Sequence, residues 1–126
     1  MIIAVDFDGT CVDHCYPDTG QDVPGAVETL QKIASQGHLI ILSTMRSGAS
    51  LGYAVRWFIK NEIPLFGINH NPEQSEWTSS PKVYAHMLID DTAFGCPLIH
   101  PNGFKRSCVN WEHVLTDIRL AERDMR

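Results

Sequence analysis

Three short apolar runs of this sequence each end in polar residues that could do chemistry. After the first run stand Asp6, Asp8, Gly9 and Thr10, after the second stand Ser43, Thr44 and Arg46, and after the last stand Asp90 and Asp91. Carboxylates that converge away from bulk water repel one another, so a cluster of them requires a cation. Oxygen donors without a fixed imidazole suit Mg²⁺. The sequence therefore predicts a magnesium site made of carboxylates.

Lys82 and Asp8 complete the predicted charge balance of this site. As anions, Asp6, Asp90 and Asp91 carry three negative charges. Mg²⁺ and Lys82 would neutralise them if the loop before the last apolar run carries Lys82 to the same place. Asp8 would then be free to become protonated and to act as a general acid.

The predicted strands and helices alternate along the chain. Apolar runs predict strands at 2–5, 39–42, 65–68, 84–89 and 97–99, and helical stripes predict helices between Pro24 and Gly37, over 51–59, and after Asn110 as N-cap. This alternation predicts an α/β fold, a three-layer α/β/α sandwich around a parallel sheet. Ligands of such sheets bind beyond the carboxyl ends of the strands, where the polar residues stand.

Length and composition restrict the classes of function. The 126 residues predict one domain, residues 1–126, and the apolar runs are too short to cross a membrane. A net charge of −5 without a cluster of Lys and Arg argues against nucleic acid as a partner. The chain opens on an apolar run without a charged leader, so we expect a cytoplasmic protein.

Cysteine and histidine residues offer a weaker metal prediction. Cys11, His14 and Cys15 could bind zinc, but a structural zinc site needs a second compact pair of ligands. The remaining cysteines, Cys96 and Cys108, are scattered. Reduced thiols without a metal are the preferred interpretation, and the role of this segment stays open.

The ordered motifs resemble those of the haloacid dehalogenase-like (HAD) phosphohydrolases. The string Asp6-Phe7-Asp8-Gly9-Thr10 follows an apolar strand, and Thr44, Lys82 and Asp90-Asp91 follow in the family's order. The match spans residues 2–92. The resemblance implies a Rossmannoid sheet of strand order 5-4-1-2-3. The intervals between the motifs are filled by predicted elements, which leaves no room for a cap domain.

The resemblance implies a phosphatase that hydrolyses phosphate monoesters through an aspartyl-phosphate. It assigns Asp6 as the nucleophile and Asp8 as the general acid and then the general base. Thr44 would donate a hydrogen bond to the phosphoryl group, with Ser43 as its rival. Lys82 would neutralise the charge of the transferring group.

The same resemblance supplies metal and substrate ligands. Mg²⁺ would be held by Asp6, the backbone carbonyl of Asp8 and one acid of the last motif. Asp91 is favoured as the direct ligand, and Asp90 is expected to support the site from beside it without binding the ion. Residues expected near the substrate are Gly9, Thr10, Ser43 and Arg46, although a surface ion pair is an equal alternative for Arg46.

Several alternatives stay open at this level. Small phosphate esters and larger phosphorylated substrates are both possible, and a capless domain could borrow a lid from a second subunit. The same intermediate could serve a phosphotransferase. A catalytically idle scaffold that binds a protein partner is the alternative from another class. A response-regulator receiver is disfavoured, because its acid pair precedes the phosphorylated Asp along the chain.

Overall fold

Strands and helices alternate through the first two thirds of the chain, as the sequence predicts. The computed structural model describes residues 1–125. Its elements are β1 (Ile2–Val5), α1 (Ala26–Ser35), β2 (Leu39–Leu42), α2 (Gly48–Lys60), β3 (Gly67–Ile68), β4 (Met87–Ile89), β5 (Leu98–Ile99), β6 (Cys108–Val109) and α3 (Trp111–Asp124). One 3₁₀ turn, Gln74–Glu76, lies in the long connection between β3 and β4. The α/β class is confirmed.

The main sheet is parallel, and its strands run in the order β3-β2-β1-β4. Val5 is level with Leu42 on one side and with Ile89 on the other. The three strands therefore end at one level, and the residues that follow them share the carboxyl edge of the sheet. Those residues are Asp6, Ser43 and Asp90.

The fifth predicted strand does not join this sheet. β5 pairs with β6 as a separate antiparallel sheet, so the predicted order 5-4-1-2-3 is not confirmed. β6 was not predicted, because two residues are too short to show an alternating pattern. The Val109 amide donates to the Gly9 carbonyl at 3.0 Å, so this small sheet closes against the loop after β1.

All three helices cover one face of the main sheet. The core cluster joins alternate strand residues to residues from every helix, and alternate residues of a strand share a face. Its members include Ile3, Val5, Ile40, Leu42 and Ile89 from the strands, and Leu30, Ile33, Ala54, Trp57, Phe58, Trp111, Val114 and Ile118 from the helices. The predicted three-layer arrangement is therefore corrected to helices on a single face.

The opposite face is covered only in part. Ala4 and Ile41 are buried there, while Leu39 and Leu88 are exposed. The connection of residues 69–86 must pass β2 and β1 to reach β4, and it contains one 3₁₀ turn and no α-helix. Because this connection contributes no α-helix, the predicted layer of helices on the second face is missing.

The helix at the end of the chain begins at its predicted cap. The Asn110 side chain accepts a hydrogen bond from the His113 amide at 3.3 Å, which satisfies a free donor of the first turn. With 14 residues α3 is the longest of the described helices. No helix in residues 1–125 has the length and apolar character needed to span a membrane.

Candidate metal centre and active site

Three carboxylates converge at the carboxyl edge of the sheet. Asp6 follows β1, Asp90 and Asp91 follow β4, and each offers one oxygen within 4.8 Å of the others. Their approach is a consequence of topology, because β1 and β4 are neighbouring strands that end at the same level. The structure thus brings together the three acids that the sequence proposes as metal ligands.

Asp6 sits in an environment that disfavours its charged form. Its pKa is raised from the usual 3.8 to about 8, chiefly by burial and further by the charge of Asp90 and a hydrogen bond with Asp91. A carboxyl group in such a position is stabilised as an anion when a cation binds next to it. The cluster therefore has an electrostatic requirement for positive charge.

Thr10 links the two ends of this cluster. Its hydroxyl donates to Asp6 Oδ2 at 3.1 Å and accepts from the Asp91 amide at 3.3 Å. Its carbonyl accepts from the indole of Trp111 at 2.7 Å. Thr10 is fully buried, so the structure places it between the acids, whereas the sequence predicts contact with substrate.

Gly9 is required at this turn for two reasons. Its φ of +83° lies in the left-handed region that side chains rarely adopt. A Cβ at this position would stand 2.3 Å from both Asp91 Oδ2 and His14 Nε2. The close approach that glycine permits is therefore to the acid cluster itself.

His14 lies at the acid cluster, where sequence reasoning did not place it. Its Nε2 lies 3.1 Å from Asp91 Oδ2, and the Asp13 carboxylate accepts from the His14 amide at 2.8 Å. Hydrogen bonds of this kind orient the carboxylates of metal sites. The sequence raised His14 only as part of a weak zinc segment; it reaches the acid cluster through the fold of the loop after β1.

Asp8 has a partner of the opposite charge. Arg46 binds it in a bidentate pair, Nε to Oδ2 at 2.8 Å and Nη2 to Oδ1 at 2.7 Å. The Arg46 side chain is 1% exposed and that of Asp8 is 20% exposed. The predicted alternative of a surface ion pair is thus replaced by a pair whose cation is buried.

Comparison with known proteins gives a relative of similar architecture. The solved structure of a conserved protein from Bacteroides thetaiotaomicron is 33% identical in sequence and superposes with a TM-score of 0.75. The match covers 96% of this chain and 91% of that one. The chain belongs to the family of that conserved protein. No family model and no curated protein sequence matches the chain.

The other site residues predicted for this family member follow β2 or lie in the connection between β3 and β4. Thr44 follows β2 by one residue, where its amide donates to Asn69 Oδ1 at 2.8 Å and its hydroxyl oxygen accepts from the Arg46 amide at 3.2 Å. Ser43 donates its amide to the Val5 carbonyl at 2.8 Å. Both residues thus stand at the predicted edge.

Lys82 is the predicted residue that the structure does not join to the cluster. It is exposed, and its backbone carbonyl accepts from the side chain of Gln74 at 2.6 Å. Within residues 1–125 its ammonium group makes no ion pair. In the ion pairs of the described residues, the cation that binds the segment Asp6-Phe7-Asp8 is Arg46, which pairs with Asp8.

The cysteine segment does not assemble a zinc site. Cys11 is buried and its thiol donates to the Asp6 carbonyl at 3.3 Å, while the Cys15 sulfur accepts from the Lys105 ammonium at 3.7 Å. All four cysteines are unpaired. The metal-ligand group found among the described residues is the aspartate triad, whose oxygen donors fit a hard cation.

Proposed function

We propose that this protein is a Mg²⁺-dependent phosphohydrolase of the capless HAD type, a single catalytic domain acting in the cytoplasm. The observation that carries the proposal is the convergence of Asp6, Asp90 and Asp91 within 4.8 Å at the ends of β1 and β4. The ordered motifs of the sequence support the same assignment. An acid cluster with a raised nucleophile pKa fits chemistry that begins with cation binding.

The donor set fits Mg²⁺ by its chemistry. Asp6, Asp90 and Asp91 offer carboxylate oxygens, the ligands that this ion prefers. One Asp90 oxygen already accepts from the amide and hydroxyl of Thr92, at 2.9 and 2.8 Å, which fixes the orientation of that carboxylate. When bound, Mg²⁺ would neutralise the acid cluster and the phosphoryl oxygens.

The proposed reaction has two displacements at phosphorus. Thr10 holds Oδ2 of Asp6, which leaves the other oxygen to attack. The bond from Asp6 to phosphorus forms as the bond to the leaving group breaks, and the leaving group takes the electron pair. Water then attacks phosphorus, the bond to Asp6 breaks, and Asp8 serves as the proton-transfer residue. Phosphate is released and Asp6 is regenerated.

The test is Mg²⁺-dependent release of phosphate from phenyl phosphate by wild type and by Asp6→Asn. Removing the nucleophile is expected to lower kcat by about 10⁴-fold or more. Asp117→Asn, the same substitution on the half-exposed surface of α3, is the matched control and should retain wild-type activity. Equal activity of wild type and Asp6→Asn would remove Asp6 as the nucleophile, and no phosphate release by wild type from any phosphate compound would favour the idle scaffold.

A second copy of the chain is the proposed source of a lid. Met45 follows β2 and Phe94 follows β4, and both side chains are fully exposed on loops that leave the carboxyl edge. Exposed large apolar residues beside a site are typical of contact with a partner. We expect gel filtration to give an oligomer that Phe94→Ser dissociates, whereas a monomer with full activity would remove this part of the proposal.

A further inference from the structure

The connection between β3 and β4 encloses a small polar cavity. Its volume is about 200 Å³, below the range of about 300–1,000 Å³ in which drug-sized ligands bind. Among the described residues that line it, none is acidic, basic like Lys or Arg, or aromatic like Phe, Tyr or Trp. Amide and hydroxyl side chains dominate the lining: Asn69, Asn71, Gln74, Thr78, Ser79 and Ser80.

Two buried amides hold the walls of this cavity in place. The Gln74 side chain donates to the carbonyls of Ser80 and Lys82, at 3.1 and 2.6 Å, and accepts from the Tyr84 amide at 2.7 Å. Asn71 donates to the Tyr84 carbonyl at 3.0 Å. Gln74 is 7% exposed and Asn71 is 3% exposed. The cavity is therefore preformed, which lowers the cost of ordering the loop when a ligand binds.

Three hydroxyl groups on one wall have donors to spare. The Ser80 amide donates to Thr78 Oγ1 at 3.2 Å, and the Lys82 amide donates to Ser80 Oγ at 3.2 Å. Because these hydroxyl oxygens accept from the backbone, their O–H groups point to other partners. The Ser79 hydroxyl makes no hydrogen bond to another residue within 1–125. The wall thus offers hydrogen atoms to a ligand that carries acceptor oxygens.

The lining selects among the ligands that carry such oxygens. An anion binds best where a cation faces it, and the described lining holds no Lys or Arg. A nucleobase needs an aromatic surface on which to stack, and the lining has none. An alcohol hydroxyl is uncharged and both accepts and donates, so it suits a wall of hydroxyls and amides. The cavity therefore fits a small polyol.

Asn69 connects this cavity to the proposed active site. Its amide donates to the Leu42 carbonyl at 2.7 Å, and its Oδ1 accepts from the Thr44 amide at 2.8 Å. Neighbouring strands lie about 4.8 Å apart, so the end of β3 stands about 10 Å from the end of β1, where Asp6 lies. With bonds of about 1.5 Å, an extended phosphorylated six-carbon chain spans roughly 9 Å. One ligand can thus reach both places.

Resting on the proposed function, we propose that this cavity binds the leaving group of the substrate and that the leaving group is a polyol, an uncharged carbon chain or ring with several hydroxyls. The phosphoryl group would lie at the acid cluster and Thr44. The hydroxyls of the leaving group would bond the wall of residues 78–80. The substrate class is then polyol phosphates.

The first experiment compares kcat/KM of the wild-type protein with Mg²⁺ on sorbitol 6-phosphate and on hexyl phosphate, which keeps the six-carbon chain without its hydroxyls. We expect sorbitol 6-phosphate to be preferred by at least about 10²-fold, because a site that bonds substrate hydroxyls rejects the analogue that lacks them. A preference below tenfold, or turnover of phenyl phosphate alone, would overturn the inference and leave the phosphohydrolase intact. Hydrolysis of none of the three would overturn the proposed function.

Variants of Ser79 locate the preference in the cavity. Ser79→Phe fills the cavity and should lower the ratio of sorbitol 6-phosphate to hexyl phosphate turnover by tenfold or more. Ser79→Ala removes one donor and should lower the ratio by about two- to tenfold, the value of one neutral hydrogen bond. Ser107→Phe, at an exposed serine before β6, is the matched control and should keep the wild-type ratio. An unchanged ratio in folded Ser79→Phe would overturn the assignment of the cavity.

Binding can also be observed without turnover in Asp6→Asn, which lacks the proposed nucleophile. With Mg²⁺ and saturating sorbitol 6-phosphate, we expect NMR to show shifted amide signals at residues 75–80, and smaller shifts with hexyl phosphate. Equal shifts with both compounds would contradict recognition of the hydroxyls. Shifts confined to the cavity on α2 that Tyr53, Arg56 and Lys60 line would place the leaving group there and overturn the proposal.

Discussion

Asp6 and Asp8 stand two residues apart in the chain and in opposite electrostatic surroundings. Asp6 meets two further carboxylates, and burial together with their charge raises its pKa to about 8. Asp8 meets a guanidinium that binds both of its oxygens. The Asp6 carboxyl group therefore needs a bound cation to be stable as an anion, whereas Asp8 is already paired with the Arg46 guanidinium.

The order of the strands explains this difference. β1 lies between β4 and β2, so residues that follow it can turn to either neighbour. Asp6 meets the acid pair that follows β4, whereas Asp8 meets Arg46, which follows β2. Phe7 between them is buried in the core and keeps the two side chains apart. A central strand can thus supply two carboxylates with distinct tasks.

The largest effect is expected from breaking the pair on the Asp8 side. Arg46→Gln removes a buried cation, leaves Asp8 without its partner, and takes donors from the carbonyls of Pro17 and Asp18. We expect a loss of about 3–5 kcal/mol in the free energy of unfolding, measured by urea denaturation. Arg56→Gln, at an exposed arginine over the Tyr53 ring, should cost less than about 1 kcal/mol. Equal losses would make the Asp8 pair unimportant for stability.

The Asp6 side should respond to pH in the opposite sense from an ordinary ion-paired aspartate. Its pKa is raised in the fold, so the folded state holds the proton more tightly and loses stability as pH rises from about 4 to about 8. Without metal, we expect wild type to lose about 2 kcal/mol relative to Asp6→Asn across this range, a value reduced for partial contact with water. Mg²⁺ should restore the lost stability of wild type most strongly near pH 8. A flat difference between the two proteins would argue that Asp6 titrates normally.

His14→Ala tests whether the acid cluster needs an orienting partner. The substitution removes the nitrogen 3.1 Å from Asp91 Oδ2 and frees that carboxylate to rotate. We expect Mg²⁺ affinity to fall by about tenfold, measured by titration calorimetry. His113→Ala on the surface of α3 is the control and should bind Mg²⁺ as wild type does. Unchanged Mg²⁺ affinity in His14→Ala would show that His14 packs in the loop after β1 without orienting Asp91.

The smallest effect on stability is expected from the contact between the Tyr16 ring and Arg46. The Tyr16 ring lies 5.4 Å from the guanidinium and is largely exposed. Tyr16→Leu should cost about 0.5–1 kcal/mol of stability, the usual value of an exposed cation–π contact. Thermal denaturation would measure it against Tyr53→Leu, whose ring faces the exposed Arg56. A loss as large as that of Arg46→Gln would show that the ring supports the pair as a whole.

The acid cluster could be predicted because it depends on strand ends alone. Apolar runs located β1 and β4, and the acids that follow them meet wherever these strands are neighbours. The partners of the cluster depend on loops. His14 reaches Asp91 through an irregular segment, and Lys82 stays exposed in a turn organised by Gln74. Neither position has a periodic signal from which it could be inferred.

The predicted arrangement of layers was wrong for a related reason. Helical stripes predicted α1, α2 and α3 correctly, but a stripe does not say which face of a sheet a helix will cover. The prediction assumed helices on both faces of the sheet, and the connection between β3 and β4 supplies one 3₁₀ turn and no α-helix. The burial of Arg46 could not be predicted either. In the sequence it is only a charged residue near a strand end, and the burial of a charge is decided by its partners in space.

The indole hydrogen bond from Trp111 to the Thr10 carbonyl ties the end of the chain to its beginning. Val109 and Lys105 reinforce it, the first by bonding Gly9 and the second by bonding the Asp13 carboxylate at 2.9 Å. During synthesis, the segment of residues 6–14 leaves the ribosome before these three residues are made. A growing chain would therefore carry all three acids of the cluster and still lack the contacts that align them until α3 has emerged and docked.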